Sequence, residues 1–463
     1  MAPFFTNDAS ILGVLIAVLA LVFYTASSEN TFWKKFYTYV PPLLLCYFLP
    51  ALLYWPLGLI APAWYDEGLV AFLQERGLTL EGGSTLAQIE SFLQANGIAL
   101  SEVSAFKHSS RLYFVASRYL LPASLILLTL SIDFKGLLNL GPKALIMFFA
   151  ATFGIILGGP LALWVVLNFF PGIIPASPEE VWRGLSTVAG SWIGGGANQT
   201  AMKEIFEVPD NLFATMIVVD VVVANIWMGF LLYGANISQR VDQWLKADNS
   251  AIEDLKERVK DFQARVARIP TITEVFIMLA IAFGGTGLAH WGSDQILPLL
   301  EGVREVLVSA GLNSLLSGFF WLIVISTTLG LLLAFTRFRN LEGIGASRWG
   351  SVFIYILVAT IGMKMNLAEV WQNLGLFAVG LIWMLVHVSV LLLVAWWIKA
   401  PFFFVAVGSQ ANVGGAASAP VVASAFSPSL APVGVLMAVL GYALGTYGAL
   451  LCAFLMQWVA GGG

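Results

Sequence analysis

Apolar residues run almost unbroken through 11–27, 38–60, 111–131, 141–170, 211–236, 271–290, 311–335, 344–362, 372–398 and 431–459, with polar segments between them. A helix that crosses a bilayer needs about 20 such residues, so the pattern predicts ten spans. Two further stretches, 181–207 and 402–426, are rich in Gly, Ala and Ser and are broken in the middle by glycines. From Gly408 to Pro432, 15 of the 25 residues are Gly, Ala or Ser, which sets the second stretch apart from the ordinary spans.

Composition agrees with the pattern. Of 463 residues, 59% are hydrophobic and 11% charged, against roughly a quarter charged in a soluble domain. A soluble fold of this length could not hide that much apolar surface, so the expected class is an all-α polytopic membrane protein whose first partner is the lipid bilayer. The net charge of −4 and the scattered basic residues argue against a nucleic-acid partner. Cys46 and Cys452 lie singly inside apolar runs, and His108, His290 and His387 match no zinc spacing. No cofactor is expected beyond a sodium ion. No Lys or Arg precedes the first run, so 11–27 reads as a retained span and not a signal peptide.

Basic residues choose the cytoplasmic side. If each glycine-broken stretch is a re-entrant hairpin that leaves the membrane where it entered, 15 of the 23 Lys and Arg fall in cytoplasmic loops. Seven of them lie between Arg240 and Arg268. If each stretch crosses fully, that bias collapses. The hairpin arrangement puts both termini outside and divides the chain into two repeats of five spans plus a hairpin. Five is odd, so the repeats are inverted. An echo supports them: at an offset of 219, Gly195, Gly196, Ala197 and Pro209 match Gly414, Gly415, Ala416 and Pro428. The expected organisation is a first repeat over 1–237, a cytoplasmic amphipathic linker over 238–270 and a second repeat over 271–463. The linker's apolar positions are Val241, Leu245, Ile252, Leu255, Val259 and Phe262. The acidic segment 61–110 is expected to form an extramembrane insertion with two short helices near Glu67–Arg76 and Thr85–Asn96, as an outer-face cap or a partner surface.

Candidate chemistry gathers at the hairpins. Non-helical backbone inside a bilayer is tolerated only where protein or a water-filled cavity covers it, and half-helix ends there attract ions. Gly195, Gly196, Gly414 and Gly415 let the chain turn, while Asn198, Gln199, Thr200, Ser409, Gln410, Asn412 and Ser418 supply neutral donors and acceptors. Together they form the expected substrate site, with Asn198 and Asn412 facing a shared cavity. Tight helix packing is the competing explanation, but it accounts for the Gly and Ala and not for the amides. Asp220, mid-span, is the foremost ion-coupling candidate, as a cation ligand or a proton carrier, with Asn225, Asn198 and Asn412 beside it on the ion-coupling list. Lys203 and Glu204 are expected to be a solvated pair, His387 a core histidine bonded to a backbone carbonyl, and Lys364 a span-end residue. Ala400–Gly463 carries no charged residue or histidine, so an ion held by the second hairpin must be bound by neutral oxygens.

Gly190-Ser-Trp-Ile-Gly-Gly-Gly-Ala-Asn198 and Gly408-Ser-Gln-Ala-Asn-Val-Gly-Gly-Ala-Ala-Ser-Ala-Pro420 resemble the membrane family labelled domain of unknown function 819. So do residues 354–364 and 441–447. The match leaves out only 61–110, and an Asp resembling Asp220 occurs in that family. The family is similar to the sodium/glutamate and citrate symporters and the bile-acid or cation/proton transporters. The resemblance implies inverted repeats and elevator-type movement of a core against a scaffold. The scaffold would include 38–60 and 311–335 and would form a homodimer.

The expected function is secondary active transport of a small polar or anionic solute, a carboxylate, amino acid or short peptide, coupled to sodium. Proton coupling or ion antiport is the alternative. A channel is a further class. An intramembrane hydrolase would need Ser409 or Ser418 beside His387, and no other candidate dyad exists, so the protein is expected not to be an enzyme. The expected location is the bacterial inner membrane.

Overall fold

A computed structural model describes residues 2–40, 42–80, 86–132, 137–138, 140, 141–174, 176–247, 270–309, 312–365, 375–427 and 430–461. The chain divides into two compact units, Met1–Arg118 with Tyr355–Leu367, and Tyr119–Ile354 with Ala368–Gly463. Among the described residues, seven helices are long and apolar enough to cross a membrane, or up to nine if each of two bent pairs is one span.

The first unit begins with α1 (Asp8–Ala26), capped by the Asn7 side chain, followed by α2 (Thr31–Tyr39) and α3 (Pro42–Tyr54). Of the span expected over 38–60, α3 covers Pro42–Tyr54, and with α2 it forms a bent pair that together is apolar enough for one span. Pro42 has no N–H with which to continue α2. Thr25 Oγ1 and Tyr37 OH, 2.6 Å apart, tie α1 to α2. The insertion holds the two expected helices, α4 (Glu67–Glu75) and α5 (Leu86–Ala95). It also holds a strand pair the pattern did not predict. β1 (Ala63–Tyr65) and β2 (Lys107–Ser109) run antiparallel, with Trp64 opposite His108 and Tyr65 opposite Lys107. Tyr65, Leu69, Leu73, Ile89, Leu93, Ile98 and Val103 form the core of this βααβ module. Its helices close alike. Phe72-Leu-Gln and Phe92-Leu-Gln each lead to a glycine at φ 73°, Gly77 and Gly97, after which Leu78 N–H and Ile98 N–H each reach back 2.9 Å to a leucine carbonyl.

The second unit contains most of the remaining helices. Leu112–Leu130 (α6) enters it at Tyr119 and includes a π-helical turn at Ala116–Leu120. There follow α7 (Pro142–Phe169), α8 (Pro178–Gly194), α9 (Gly196–Ile205), α10 (Asp210–Asn236) and α11 (Ser238–Leu245). The linker beyond 247, with Ile252, Leu255, Val259 and Phe262, lies outside the described residues. The second half continues with α12 (Ile272–Glu301), α13 (Gly318–Ala334), α14 (Ala346–Gly362), α15 (Gly375–Ile398), α16 (Phe402–Val413), α17 (Gly415–Phe426) and α18 (Ala431–Val459). Both halves thus contain a long helix, a glycine-broken pair and another long helix.

Packing sorts these helices into two groups. α7, α8, α9, α10, α15, α16, α17 and α18 pack mainly on one another, with α7 against α15 and α8 against α18. Leu121–Leu130, α12 and α13 form the second group, around Ala123, Leu127, Leu130, Met278 and Ala282. The groups meet along a narrower front, where Ala334 of α13 reaches the larger core.

Candidate functional site

Each hairpin turns at a glycine that the chain needs. Gly195, between α8 and α9, has φ 75°, and Gly415, at the start of α17, has φ 58°. Residues with a Cβ rarely adopt such values. Both hairpins then lie against α18, along a face made by Gly434, Gly441, Gly445 and Gly448, spaced by seven, four and three. A Cβ on Gly434 would meet Ala419 O at 2.5 Å, and one on Gly441 would meet Ile193 O at 2.8 Å and Ala411 O at 3.6 Å. A Cβ on Gly445 would strike the Asn198 side chain, and one on Gly448 would press on Ile193. The second hairpin also touches α7 closely at Gly408. Small residues let backbones approach this closely without leaving a void.

Hydroxyl groups on distant helices hold the two asparagines. Asn198 Nδ2 donates to Gly194 O at 2.9 Å, and Thr446 Oγ1 of α18 donates to Asn198 Oδ1 at 2.6 Å. Thr446 has one hydroxyl proton, so its 3.1 Å contact with Thr327 of α13 is donated by Thr327. Asn412 follows the same plan. Its Nδ2 donates to Gly408 O at 3.1 Å and Phe148 O at 3.3 Å, and Thr152 Oγ1 of α7 donates to its Oδ1 at 2.8 Å. Both amides, expected to face a common cavity, are engaged with protein partners, and both residues are fully buried.

Asp220 is buried in α10 and bonded to the first hairpin. Trp192 Nε1 of α8 donates to Oδ1 at 2.6 Å, and Gln199 Nε2 of α9 donates to Oδ2 at 3.0 Å, with the Ser191 hydroxyl a third donor. The carboxylate therefore ties both arms of the hairpin to α10. Asn225 does not join it; its Nδ2 donates to Val221 O of its own helix at 2.8 Å. Thr200 likewise bonds back to Gly196 O at 2.9 Å.

Ser409 and His387 do come together. His387 Nδ1 contacts Ala151 O at 3.1 Å, and a carbonyl only accepts, so Nδ1 carries the proton and Nε2 accepts from Ser409 at 2.8 Å. Trp227 Nε1 donates to Ser409 Oγ at 2.8 Å. The chain Trp227–Ser409–His387–Ala151 joins α10, the second hairpin, α15 and α7, and the expected carbonyl bond of His387 is present. The Ala151 carbonyl orients the imidazole, and the serine oxygen also accepts from the Trp227 indole, so the chain of contacts ties four helices together.

Gln410 differs from the other hairpin amides. Its Nε2 donates to Ser418 Oγ at 2.7 Å, while its Oε1 is buried and has no hydrogen-bond partner among the described residues. The pair flanks Gly414, where a Cβ would strike both side chains.

Two charged residues are placed otherwise than expected. Lys203 and Glu204 are not a solvated pair: their side chains are 5% and 8% exposed. Asp210 at the start of α10 stands 2.9 Å from Lys203 Nζ, and the Phe213 ring centroid lies 5.7 Å from it, so α10 folds over the pair. Lys364 holds its ammonium 4.0 Å over the Tyr113 ring. The linker start is not merely solvated either, since Asp242 Oδ1 accepts from Phe402 N–H at 2.7 Å and so anchors the second hairpin.

Trp192, Thr152, Thr446, Thr327 and Trp227 were not among the expected site residues. Hydroxyls and indoles at intervals along otherwise apolar spans were the available signal.

Residues 89–459 match the family model described as a protein of unknown function, DUF819. The chain belongs to that family. It is also 22% identical over 356 residues to the uncharacterized membrane protein YjcL of Bacillus subtilis (strain 168), an alignment covering 76% of this chain and 86% of the relative. With the apolar helices, this makes the chain an integral membrane protein.

Proposed function

We propose that this protein is a secondary active transporter of elevator type. The larger helix group, with both hairpins, would move against a scaffold containing α13, carrying a small polar or anionic solute such as a carboxylate, amino acid or short peptide. The observation that carries this reading is the segregation of the helices: both hairpins pack on the glycine face of α18, inside a group that meets the α6–α12–α13 group along a narrow front. That front includes two threonine contacts, Thr327 with Thr446 at 3.1 Å and Thr328 with Tyr447 at 2.7 Å. Hydrogen bonds of this kind exchange partners with little net change, as a sliding surface requires.

Sodium is the proposed coupling ion. The unpartnered Gln410 Oε1 beside Ser418, in a half-hairpin without charged residues, suits a hard cation held by neutral oxygens. Asp220 then serves the hairpin as an anchor, or carries a proton if coupling is to pH. The two repeats are proposed to be inverted, with both termini outside and 238–270 in the cytoplasm of a bacterial inner-membrane homodimer without enzymatic activity. The test is thermal unfolding of the purified protein in sodium against potassium chloride, with a panel of carboxylates and amino acids, followed by uptake into liposomes. Saturable uptake driven by a sodium gradient supports the reading. Current that does not saturate, or uptake indifferent to any gradient, overturns it.

A further inference from the structure

Within the first unit a cavity of about 230 Å³ opens beside the βααβ module, and its lining includes the rings of Tyr54, Trp55, Trp64 and Tyr65, of which Trp55 is the most exposed. Its volume is below the 300–1,000 Å³ range of sites for drug-sized ligands, so its occupant is small. None of its lining residues is Asp, Glu, Lys, Arg, Asn, Gln, Ser or Thr. The polar side-chain groups it offers are two phenol hydroxyls and two indole N–H groups, and the Tyr65 hydroxyl is already engaged by Glu90. A sugar, which needs several converging polar side chains, finds few here.

The rings are held in place. Trp64 stacks on His108 with centroids 6.1 Å apart and planes at 23°. His108 Nε2 is fixed in turn, 2.8 Å from Asp66 Oδ2. Tyr65 is paired across the sheet with Lys107, whose ammonium lies 2.7 Å from Glu90 Oε1 and is thereby neutralised. Charge decides what such a cavity attracts. Residues 61–110 hold six acidic and two basic residues, so the rest of the chain is balanced at 21 of each and the net charge of −4 belongs to this segment. Aromatic faces attract cations, and the acidic excess of this segment favours cations over anions in its neighbourhood.

We propose that this aromatic cavity binds a small organic cation of the methylated-ammonium class. Such a cation has no N–H to donate, so the lack of acceptor side chains costs it nothing. The site is separate from the hairpins, none of whose residues line it, and its test needs no transport. Isothermal titration of the full-length protein in detergent uses choline, the uncharged carbon isostere of choline, and N-acetylglucosamine. Choline is expected to bind saturably and about tenfold more tightly than the isostere. Trp55 is 40% exposed and outside the buried core of the module, so its replacement is expected to leave the fold intact. Trp55→Leu should weaken choline binding about tenfold with thermal unfolding unchanged, and Trp55→Phe should keep most of it. Equal binding of the isostere, tighter binding of the sugar, absence of saturable choline binding, or unchanged affinity in Trp55→Leu would each overturn the proposal.

Discussion

Asp220 offers the sharpest separation between an anchor and a charge. Besides removing the acceptor of the Ser191 hydroxyl, Asp220→Ala strands two buried N–H donors, Trp192 Nε1 and Gln199 Nε2, which now sit 2.6 and 3.0 Å from the carboxylate oxygens. Hydrogen bonds between membrane helices are worth about 0.6–1.7 kcal/mol each, because the unfolded chain in the bilayer also finds partners. Those to a charged acceptor lie higher, at about 1.5–3 kcal/mol. Losing both should therefore cost about 2–4 kcal/mol. Asp220→Asn behaves differently. Its carbonyl still accepts from Trp192, and its new N–H₂ can donate to Gln199 once that amide turns over, so the cost should stay within about 1 kcal/mol. Trp192→Phe removes one donor, and adding it to Asp220→Ala should cost less than the two single effects combined. The assay is reversible unfolding of the four variants in mixed micelles. If Asp220→Asn were destabilised as strongly as Asp220→Ala, the charge itself would be holding the fold and the anchor account would fail. A harmless Asp220→Ala would refute it as well.

Other consequences follow from the same contacts. Thr446→Val leaves the buried Asn198 Oδ1 and the Thr327 hydroxyl without their shared partner, and should lower stability by about 1–3 kcal/mol in the same unfolding assay. Gly445→Ala drives a methyl group into Asn198 and should cost about 1–3 kcal/mol, with faster hydrogen exchange confined to α8 and α9. Asp66 in the βααβ module is held below its ordinary pKa of 3.8, chiefly by the hydrogen bond from His108. A depressed carboxylate stabilises the folded form above its unfolded pKa, and that contribution is lost as pH falls through the folded value. Exchange protection of α4 should therefore fall with acid below the ordinary carboxylate range, and Asp66→Asn should flatten that limb.

Much of the fold is legible in the chain because helical spans are written locally, as long apolar runs. The two breaks are legible for the same reason: only glycine fits at Gly195 and Gly415, and both stand in glycine clusters. What the chain does not reveal is which helix answers which polar group. Thr446 lies 248 residues from Asn198, and Thr152 lies 260 from Asn412. Trp192 and Gln199 precede Asp220 by 28 and 21 residues, yet reach it only because the hairpin folds back on α10. Lys203 and Glu204 look like a solvated pair until Asp210 and Phe213 close over them. β1 and β2, three residues each, are too short to show an alternating pattern.

The central claim is that the hairpin-bearing group moves against the α13 group, and a distance distribution tests it most directly. Spin labels at Leu332→Cys on α13 and Leu451→Cys on α18 would occupy positions 61% and 51% exposed, away from the packed front. A control pair, Leu393→Cys on α15 with Leu451→Cys, lies wholly within the larger group. In liposomes, double electron–electron resonance should give two populated distances for the first pair, redistributed by sodium, and one narrow distance for the control. A single fixed distance for both pairs under all ionic conditions would contradict the account.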